Sequence, residues 1–151
     1  MQITILVTGK CRDKSMLALE KEYMGRLPAS WRATVRELPD GETPEAEADA
    51  QLAALDALPE PNMKVMLDER GEQMGSRDFA AKFEAWQGRG VKAVALLIGG
   101  ANGISAKVKA KADVVLAFGK LTMPHQLVRV VLAEQIYRVH TIIAGHPYHR
   151  D

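Results

Sequence analysis

The stretch VKAVALLIGGANGIS, residues 91 to 105, indicates how the chain folds. Its apolar, partly β-branched first part predicts a strand buried on both faces, as in the centre of a parallel sheet. The glycines that follow, Gly99, Gly100 and Gly103, allow a sharp turn and a close approach of the backbone to a ligand. Ser105 can then cap a helix. A strand, a glycine-rich turn and a helix in this order predict an α/β fold with a mostly parallel sheet.

The rest of the chain alternates in the same way. Strands are predicted within 1–9, 33–38, 64–69 and 113–119, and helices within 15–28, 43–58, 76–90, 105–112 and 124–140. Ser76 is expected to cap the third helix, in which Phe79, Phe83 and Trp86 share one face. The last helix is apolar around most of its circumference, which favours cover on two sides and hence a subunit interface. We expect one domain, residues 1–151, with five or six strands and helices on both faces of the sheet.

The charges are unevenly distributed in a chain whose formal net charge is only +1. Eight acidic residues and no lysine or arginine lie between Glu37 and Glu60, so 11 acidic and 20 basic residues remain in the other 127 positions. Two interpretations stay open, a basic face that binds nucleic acid or an acidic stretch that is simply the solvated side of a helix. A single cysteine, Cys11, suits a reducing compartment, and no apolar run is long enough for a membrane span. We therefore expect a soluble cytoplasmic protein.

Three loops are expected to meet at one edge of the sheet. They are 67–71, 99–105 and 117–124, and each follows a predicted strand. The carboxyl ends of parallel strands lie at the same edge, where open α/β sheets bind their ligands. The glycine spacing G-G-x-x-G is neither that of a dinucleotide-binding turn nor that of a P-loop. The residues alone therefore leave open a ligand-binding loop or a tight turn without a ligand.

The four histidines give weaker signals. His125, in the first turn of the last helix, is interpreted as a structural residue, and His140 as a cation beside the C-terminus of that helix. His146 and His149 lie three residues apart in the final segment GHPYHRD, residues 145–151. A His-x-x-His pair without further carboxylate or cysteine ligands is a poor metal site. We expect no metal, and a terminal segment that is either docked or mobile.

The glycine loop, the segment LAFGKLTMPHQLVRV (116–130) and the terminal GHPYHRD together resemble the SPOUT superfamily of knotted RNA methyltransferases. The resemblance extends over essentially the whole chain. It implies a parallel α/β sheet with a C-terminal trefoil knot, a homodimer and the cofactor S-adenosyl-L-methionine. Sequence periodicity does not indicate such a knot, which is an exception among protein folds.

Within the superfamily the resemblance is to small methyltransferases that act on ribosomal RNA, and it implies a specific reaction. That reaction is methylation of N3 of the pseudouridine in the helix 69 hairpin of 23S rRNA, within the assembled 70S ribosome. The implied cofactor-binding residues are Leu67, Gly99, Gly103, Phe118, Gly119, Lys120, Leu121, Thr122 and Met123. Two alternatives remain, a SPOUT methyltransferase with another RNA substrate and a non-catalytic ribosome-binding factor of the same fold.

The implied chemistry assigns roles to four residues near the end of the chain. N3 of pseudouridine is an imide nitrogen that must lose its proton, and a histidine is suited to accept a proton near neutral pH. We therefore expect His149 to act as the base, together with Tyr148 and Arg150 and with support from Arg138. The four residues would close over the cofactor site. The tail that closes would belong either to the same chain or to the partner subunit. The spacing of Glu134 and Arg138 also permits an ordinary helical ion pair.

Overall fold

The computed structural model describes residues 1–151 and contains one five-stranded sheet, all of whose pairs are parallel. In spatial order the strands are β2 (Thr34–Leu38), β1 (Gln2–Thr8), β4 (Ala93–Ile98), β3 (Asn62–Glu72) and β5 (Val114–Leu116). The helices are α1 (Lys14–Gly25), α2 (Pro44–Asp56), α3 (Ser76–Gly88), α4 (Ala106–Lys109) and α5 (His125–Ala144). A 3-10 turn, Ala29–Trp31, follows α1. The predicted α/β fold with a mostly parallel sheet is confirmed.

Helices cover both faces of the sheet, as expected. On one face α3 and α5 pack against alternate residues of the central strands, such as Ile5, Val65 and Leu96. On the other face α2 and α4 pack against the residues between them, such as Leu6 and Leu97. Every residue of β4 is buried, because this strand has a neighbour on each side and helices above and below. The aromatic face of α3, Phe79, Phe83 and Trp86, is buried as predicted.

A buried arginine joins α5 to two other elements. Arg129 is 2% exposed and its guanidinium bonds the Glu20 carboxylate of α1, with a second contact of 3.4 Å to Glu37 of β2. A buried charge is tolerated only when it is paired and hydrogen-bonded. This pairing fixes how α5 lies against α1.

Three local expectations are wrong. Gly75 rather than Ser76 precedes α3, and the Ser76 hydroxyl donates to Oε1 of Gln135 at 2.8 Å instead of capping the helix. Helix α5 continues to Ala144, beyond the expected end at His140, because no helix breaker occurs before Gly145, which ends it at φ 72°. His140 therefore lies inside the helix, edge-on to Trp31 at 5.4 Å. Burial, with a smaller effect of His146, lowers the pKa of His140, which makes it a neutral packing residue and not the expected cation.

The acidic stretch is largely solvated. Seven of its eight carboxylate residues are exposed and only Glu47 is buried, which favours the second of the two interpretations. No helix combines the length and apolarity that a membrane crossing requires.

Candidate active site

Three neighbouring strands are in register at the carboxyl edge of the sheet. Leu67 of β3 lies opposite Ile98 of β4 and Leu116 of β5. The loops that follow Ile98 and Leu116 therefore leave the sheet side by side, next to the end of β3. The predicted convergence is confirmed for 99–105 and 117–124, whereas 67–71 is not a loop as expected, because β3 continues to Glu72.

The two loops and the end of β3 enclose a cavity of about 570 Å³, a volume typical of small-ligand sites. Its walls combine apolar side chains with loop backbone, from residues 67–70, 98–104, 116–119 and 121–125, together with Lys109 and Val128. A mixed lining of this kind suits a ligand that carries an apolar or aromatic part and several hydrogen-bonding groups. The cavity therefore fits a nucleoside-type cofactor such as S-adenosylmethionine.

The glycine loop is folded tightly onto itself. Gly99 lies so close to Gly103 that a Cβ atom at position 99 would stand 2.7 Å from the carbonyl carbon and oxygen of Gly103. Gly103 has a φ of 70°, which a side chain disfavours, and its N–H donates to the Gly100 carbonyl at 2.9 Å. Only glycine at these positions lets the loop form one wall of the cavity.

Polar contacts hold the mouth of the cavity together. The Lys109 ammonium pairs with the Asp68 carboxylate. Partial burial acts to raise the pKa of Asp68, but the hydrogen bonds from Lys109 and from the backbone N–H of Arg70 outweigh it, so the pKa is lowered and the carboxylate stays ionised. The Thr122 hydroxyl donates to Oε2 of Glu69 at 2.7 Å, which ties the loop 117–124 to β3.

Eight of the nine residues expected to bind the cofactor line this cavity. They are Leu67, Gly99, Gly103, Phe118, Gly119, Leu121, Thr122 and Met123, whereas Lys120 is exposed and does not contribute to the lining. The structure adds residues that the expectation did not include, among them Asp68, Asn102, Lys109 and His125. Only Asn102 lies in a loop that directly follows a strand end; Asp68 lies in β3, Lys109 in α4 and His125 in α5, so the sequence contained a local signal for Asn102 alone. The partly buried His125 lies in the wall, with its Nε2 3.1 Å from Nε2 of Gln126.

The terminal segment is docked on α5 rather than free. The Tyr148 hydroxyl donates to Oε1 of Glu134 at 2.9 Å, and Arg138 donates to the same oxygen from Nε at 3.1 Å and from Nη2 at 2.5 Å. The Tyr148 ring also packs on the Tyr137 ring at 4.7 Å. Burial and the hydrogen bond to Glu134 raise the pKa of Tyr148 to about 12, so this hydroxyl keeps its proton near neutral pH.

His149 is held at both ring nitrogens. Its Nδ1 lies 3.1 Å from Nη1 of Arg138, and its Nε2 lies 3.1 Å from Oδ1 of Asp151. Arg150, by contrast, is exposed and makes no side-chain hydrogen bond or ion pair. Three of the four expected catalytic residues, Arg138, Tyr148 and His149, are thus in contact with one another.

This tail cluster, Arg138, Tyr148 and His149 with Glu134, is separate from the cavity of the same chain. None of its residues lines the cavity. Val128 is the last residue of α5 in the cavity wall, and Arg138 lies ten residues further along the helix, which is about 15 Å of helix rise. The structure also contains no group of three or more histidine, cysteine or acidic residues arranged to hold a metal.

Comparison with known proteins assigns the chain to a family. A sequence profile described as "Predicted SPOUT methyltransferase" matches residues 1–149. The chain belongs to the SPOUT methyltransferase family. It is 41% identical to the ribosomal RNA large subunit methyltransferase H of Rhodospirillum centenum, with 99% of each chain covered. The proteins of the same name in Paramagnetospirillum magneticum and Bradyrhizobium sp. are 41% and 40% identical over 99% of this chain.

A solved structure supports the fold of this SPOUT methyltransferase independently. The SpoU methyltransferase AviRb of Streptomyces viridochromogenes, solved with the cofactor AdoMet, superposes with a TM-score of 0.51 at 13% sequence identity. The match covers 96% of this chain and 61% of AviRb. At this identity the likeness concerns the fold. The resemblance to the SPOUT superfamily that the sequence motifs indicate is therefore confirmed.

Proposed function

We propose that this SPOUT methyltransferase transfers a methyl group from S-adenosyl-L-methionine to N3 of the pseudouridine in the helix 69 hairpin of 23S rRNA. The substrate is the assembled 70S ribosome in the cytoplasm. The observation that carries the proposal is the cavity at the carboxyl edge of three neighbouring strands, in a chain about 40% identical over its whole length to ribosomal RNA large subunit methyltransferases H. When bound, the cofactor supplies an activated methyl group.

The residues of the cavity hold and orient the cofactor. The backbone of 99–103, 117–119 and 121–123 lies in the cavity wall, where peptide groups can hydrogen-bond a polar ligand without a long side chain between them. Leu67, Phe118 and Leu121 supply apolar surface. These residues exclude water and position the reactive group. Holding the reacting groups in the right geometry lowers the barrier to the reaction.

The tail cluster and Arg150 supply the groups that act on the base. His149 accepts the imide proton, the Tyr148 hydroxyl positions the base, and Arg150 and Arg138 contact phosphate or uracil oxygens. Since about 15 Å of helix separates this cluster from the cavity of its own chain, a second copy delivers it. The working unit is a homodimer in which the tail of one subunit closes on the cavity of the other.

An apolar face on α1 and α5 fits this dimer. Leu19 of α1 and Leu127 of α5 are 46% and 38% exposed. Tyr23 and Tyr137 lie between the same two helices, with ring centroids 6.2 Å apart. Exposed apolar side chains on adjoining helices favour burial against another subunit.

The test is transfer of labelled methyl from S-adenosylmethionine to 70S ribosomes, separate subunits and naked 23S rRNA in parallel, with the modified nucleotide identified. We expect 3-methylpseudouridine in helix 69 of the 70S sample and little label in naked RNA. A chain with net charge +1 offers few phosphate contacts, so it needs a composite ribosomal surface. Efficient methylation of naked 23S rRNA would contradict the ribosomal context. Absence of cofactor binding in a calorimeter would instead indicate a non-catalytic ribosome-binding factor.

A further inference from the structure

The C-terminal residue, Asp151, lies in a chain of hydrogen bonds to which the proposed reaction assigns no role. Its Oδ1 is 3.1 Å from Nε2 of His149. Its two carboxylate oxygens also accept from Nε and Nη2 of Arg77, at 2.6 Å and 2.8 Å. Arg77 belongs to α3, whereas the tail cluster packs on α5. Asp151 therefore joins the end of the chain to a second helix.

The partners on the two sides of the imidazole define one tautomer. A guanidinium group can only donate, so Nδ1 of His149 accepts from Nη1 of Arg138. In the neutral ring Nε2 then carries the hydrogen and donates it to the Asp151 carboxylate. The hydrogen-bond network thus assigns the basic lone pair to Nδ1.

We propose that Asp151 and Arg77 are positioning residues for His149, an inference that rests on the proposed function. Asp151 keeps the hydrogen on Nε2, so Nδ1 is the nitrogen that faces the substrate once Arg138 moves from it to an RNA oxygen. The imide N–H bond breaks and the proton forms the Nδ1–H bond of His149. The electron pair left on nitrogen would form the new N–CH3 bond while the S–CH3 bond of S-adenosylmethionine breaks, its electrons staying on sulfur and S-adenosylhomocysteine leaving. The carboxylate of Asp151 stabilises the resulting imidazolium and itself remains ionised, as in other histidine–aspartate pairs.

The Arg77–Asp151 pair fixes the orientation of the Asp151 carboxylate and adds little to the stability of the fold. The two side chains are 59% and 70% exposed, and ion pairs in such positions contribute little to the free energy of unfolding. Two parallel hydrogen bonds from a planar guanidinium nevertheless hold a carboxylate in one orientation. The hydrogen bond from Arg77, with a smaller one from His149, lowers the pKa of Asp151, so the acceptor of the Nε2 hydrogen stays charged.

The first test compares Asp151→Asn, Asp151→Glu and Arg77→Ala in methyl transfer to 70S ribosomes. In Asp151→Asn the single amide oxygen pairs with Arg77 and the NH2 group faces Nε2, which favours the wrong tautomer. We expect kcat to fall about tenfold in Asp151→Asn and Arg77→Ala with KM within about twofold, and Asp151→Glu to recover most of the loss. The matched control is Arg89→Ala at the other end of α3, an exposed arginine in no ion pair, which should leave both constants unchanged.

The second test needs no activity. Nitrogen-15 NMR of histidine-labelled protein reports which ring nitrogen of His149 carries the hydrogen. We expect the Nε2–H form in the wild type and a mixture of both neutral tautomers in Asp151→Asn. An unchanged tautomer together with an unchanged kcat in Asp151→Asn would overturn the positioning role. A wild type that methylates no ribosomal substrate would contradict the proposed function, and the NMR measurement would still confirm or contradict the pairing.

Discussion

Among single residues, Gly99 has little freedom to change. The atoms nearest to a Cβ at this position are the carbonyl carbon and oxygen of Gly103, both backbone atoms that cannot rotate away as a flexible side chain can. The crossing of these two backbone segments forms one wall of the cavity. A methyl group at position 99 therefore separates the segments and changes the shape of the cavity.

We predict that Gly99→Ala weakens S-adenosylmethionine binding at least about tenfold while the sheet remains folded. Calorimetric titration measures the affinity, and circular dichroism measures the fold. The matched control is Gly88→Ala at the end of α3, where a Cβ atom meets nothing within 4 Å. If Gly99→Ala binds the cofactor as tightly as Gly88→Ala does, the loop does not form the cofactor site.

The sequence predicts the residues of the cavity better than it predicts the contacts of the C-terminal tail. The glycines of 99–103 and the loop 117–124 stand directly after apolar strand patterns, so their location at the carboxyl edge follows from local sequence. The Arg77–Asp151 pair joins residues 74 positions apart, on an exposed helix surface and at a chain end. No periodicity or spacing predicts such a contact, because it depends on how α3 and α5 pack.

At the scale of elements, α5 shows where boundary prediction fails. The sequence VHTIIAG contains no proline and has its first glycine at 145, so the helix continues for one more turn beyond His140. The added turn carries Thr141, which is buried. It also changes the interpretation of His140 from a cation beside the helix C-terminus to a ring packed against Trp31.

This packing predicts a pH effect on stability. The pKa of His140 is lowered in the folded state, chiefly by burial, so the unfolded chain binds the proton first as the pH falls through about 6.5. The free energy of unfolding therefore decreases below that pH and is unaffected by His140 above it. In His140→Phe, which keeps an aromatic ring against Trp31, we expect a smaller drop in the thermal midpoint between about pH 7.5 and 5.5. An equal drop in both proteins would show that His140 does not carry the effect.

At the scale of the whole molecule, the two halves of the proposed site lie at different ends of α5. The cavity surrounds its first turn, and the tail cluster packs on its second half. The sequence predicts the sheet, its edge and the glycine loop, but it gives no distance between them and the tail. That separation is a property of the folded chain, and it is the argument for a second subunit.

A mixing experiment tests that argument. Gly99→Ala impairs only the cavity, and deletion of residues 146–151 removes only the tail, so at a limiting cofactor concentration each variant alone should have little activity. If the tail acts on the partner's cavity, unfolding and refolding the two together yields mixed dimers with one intact site each. About a quarter of wild-type activity should then return. Mixtures that stay inactive while forming mixed dimers would show that the tail acts within its own chain.

The strand order also determines when the chain can fold during its own synthesis. β1 leaves the ribosome first, yet it lies between β2 and β4, and β4 begins only at Ala93. Until then Ile3, Ile5 and Val7, all fully buried in the finished protein, have no complete set of neighbours. Helix α5, which covers the same face, is translated last of all. The nascent chain therefore carries an exposed apolar strand for most of its translation, and folding is completed only near or after release. Until then this strand is prone to aggregation and is a binding site for chaperones.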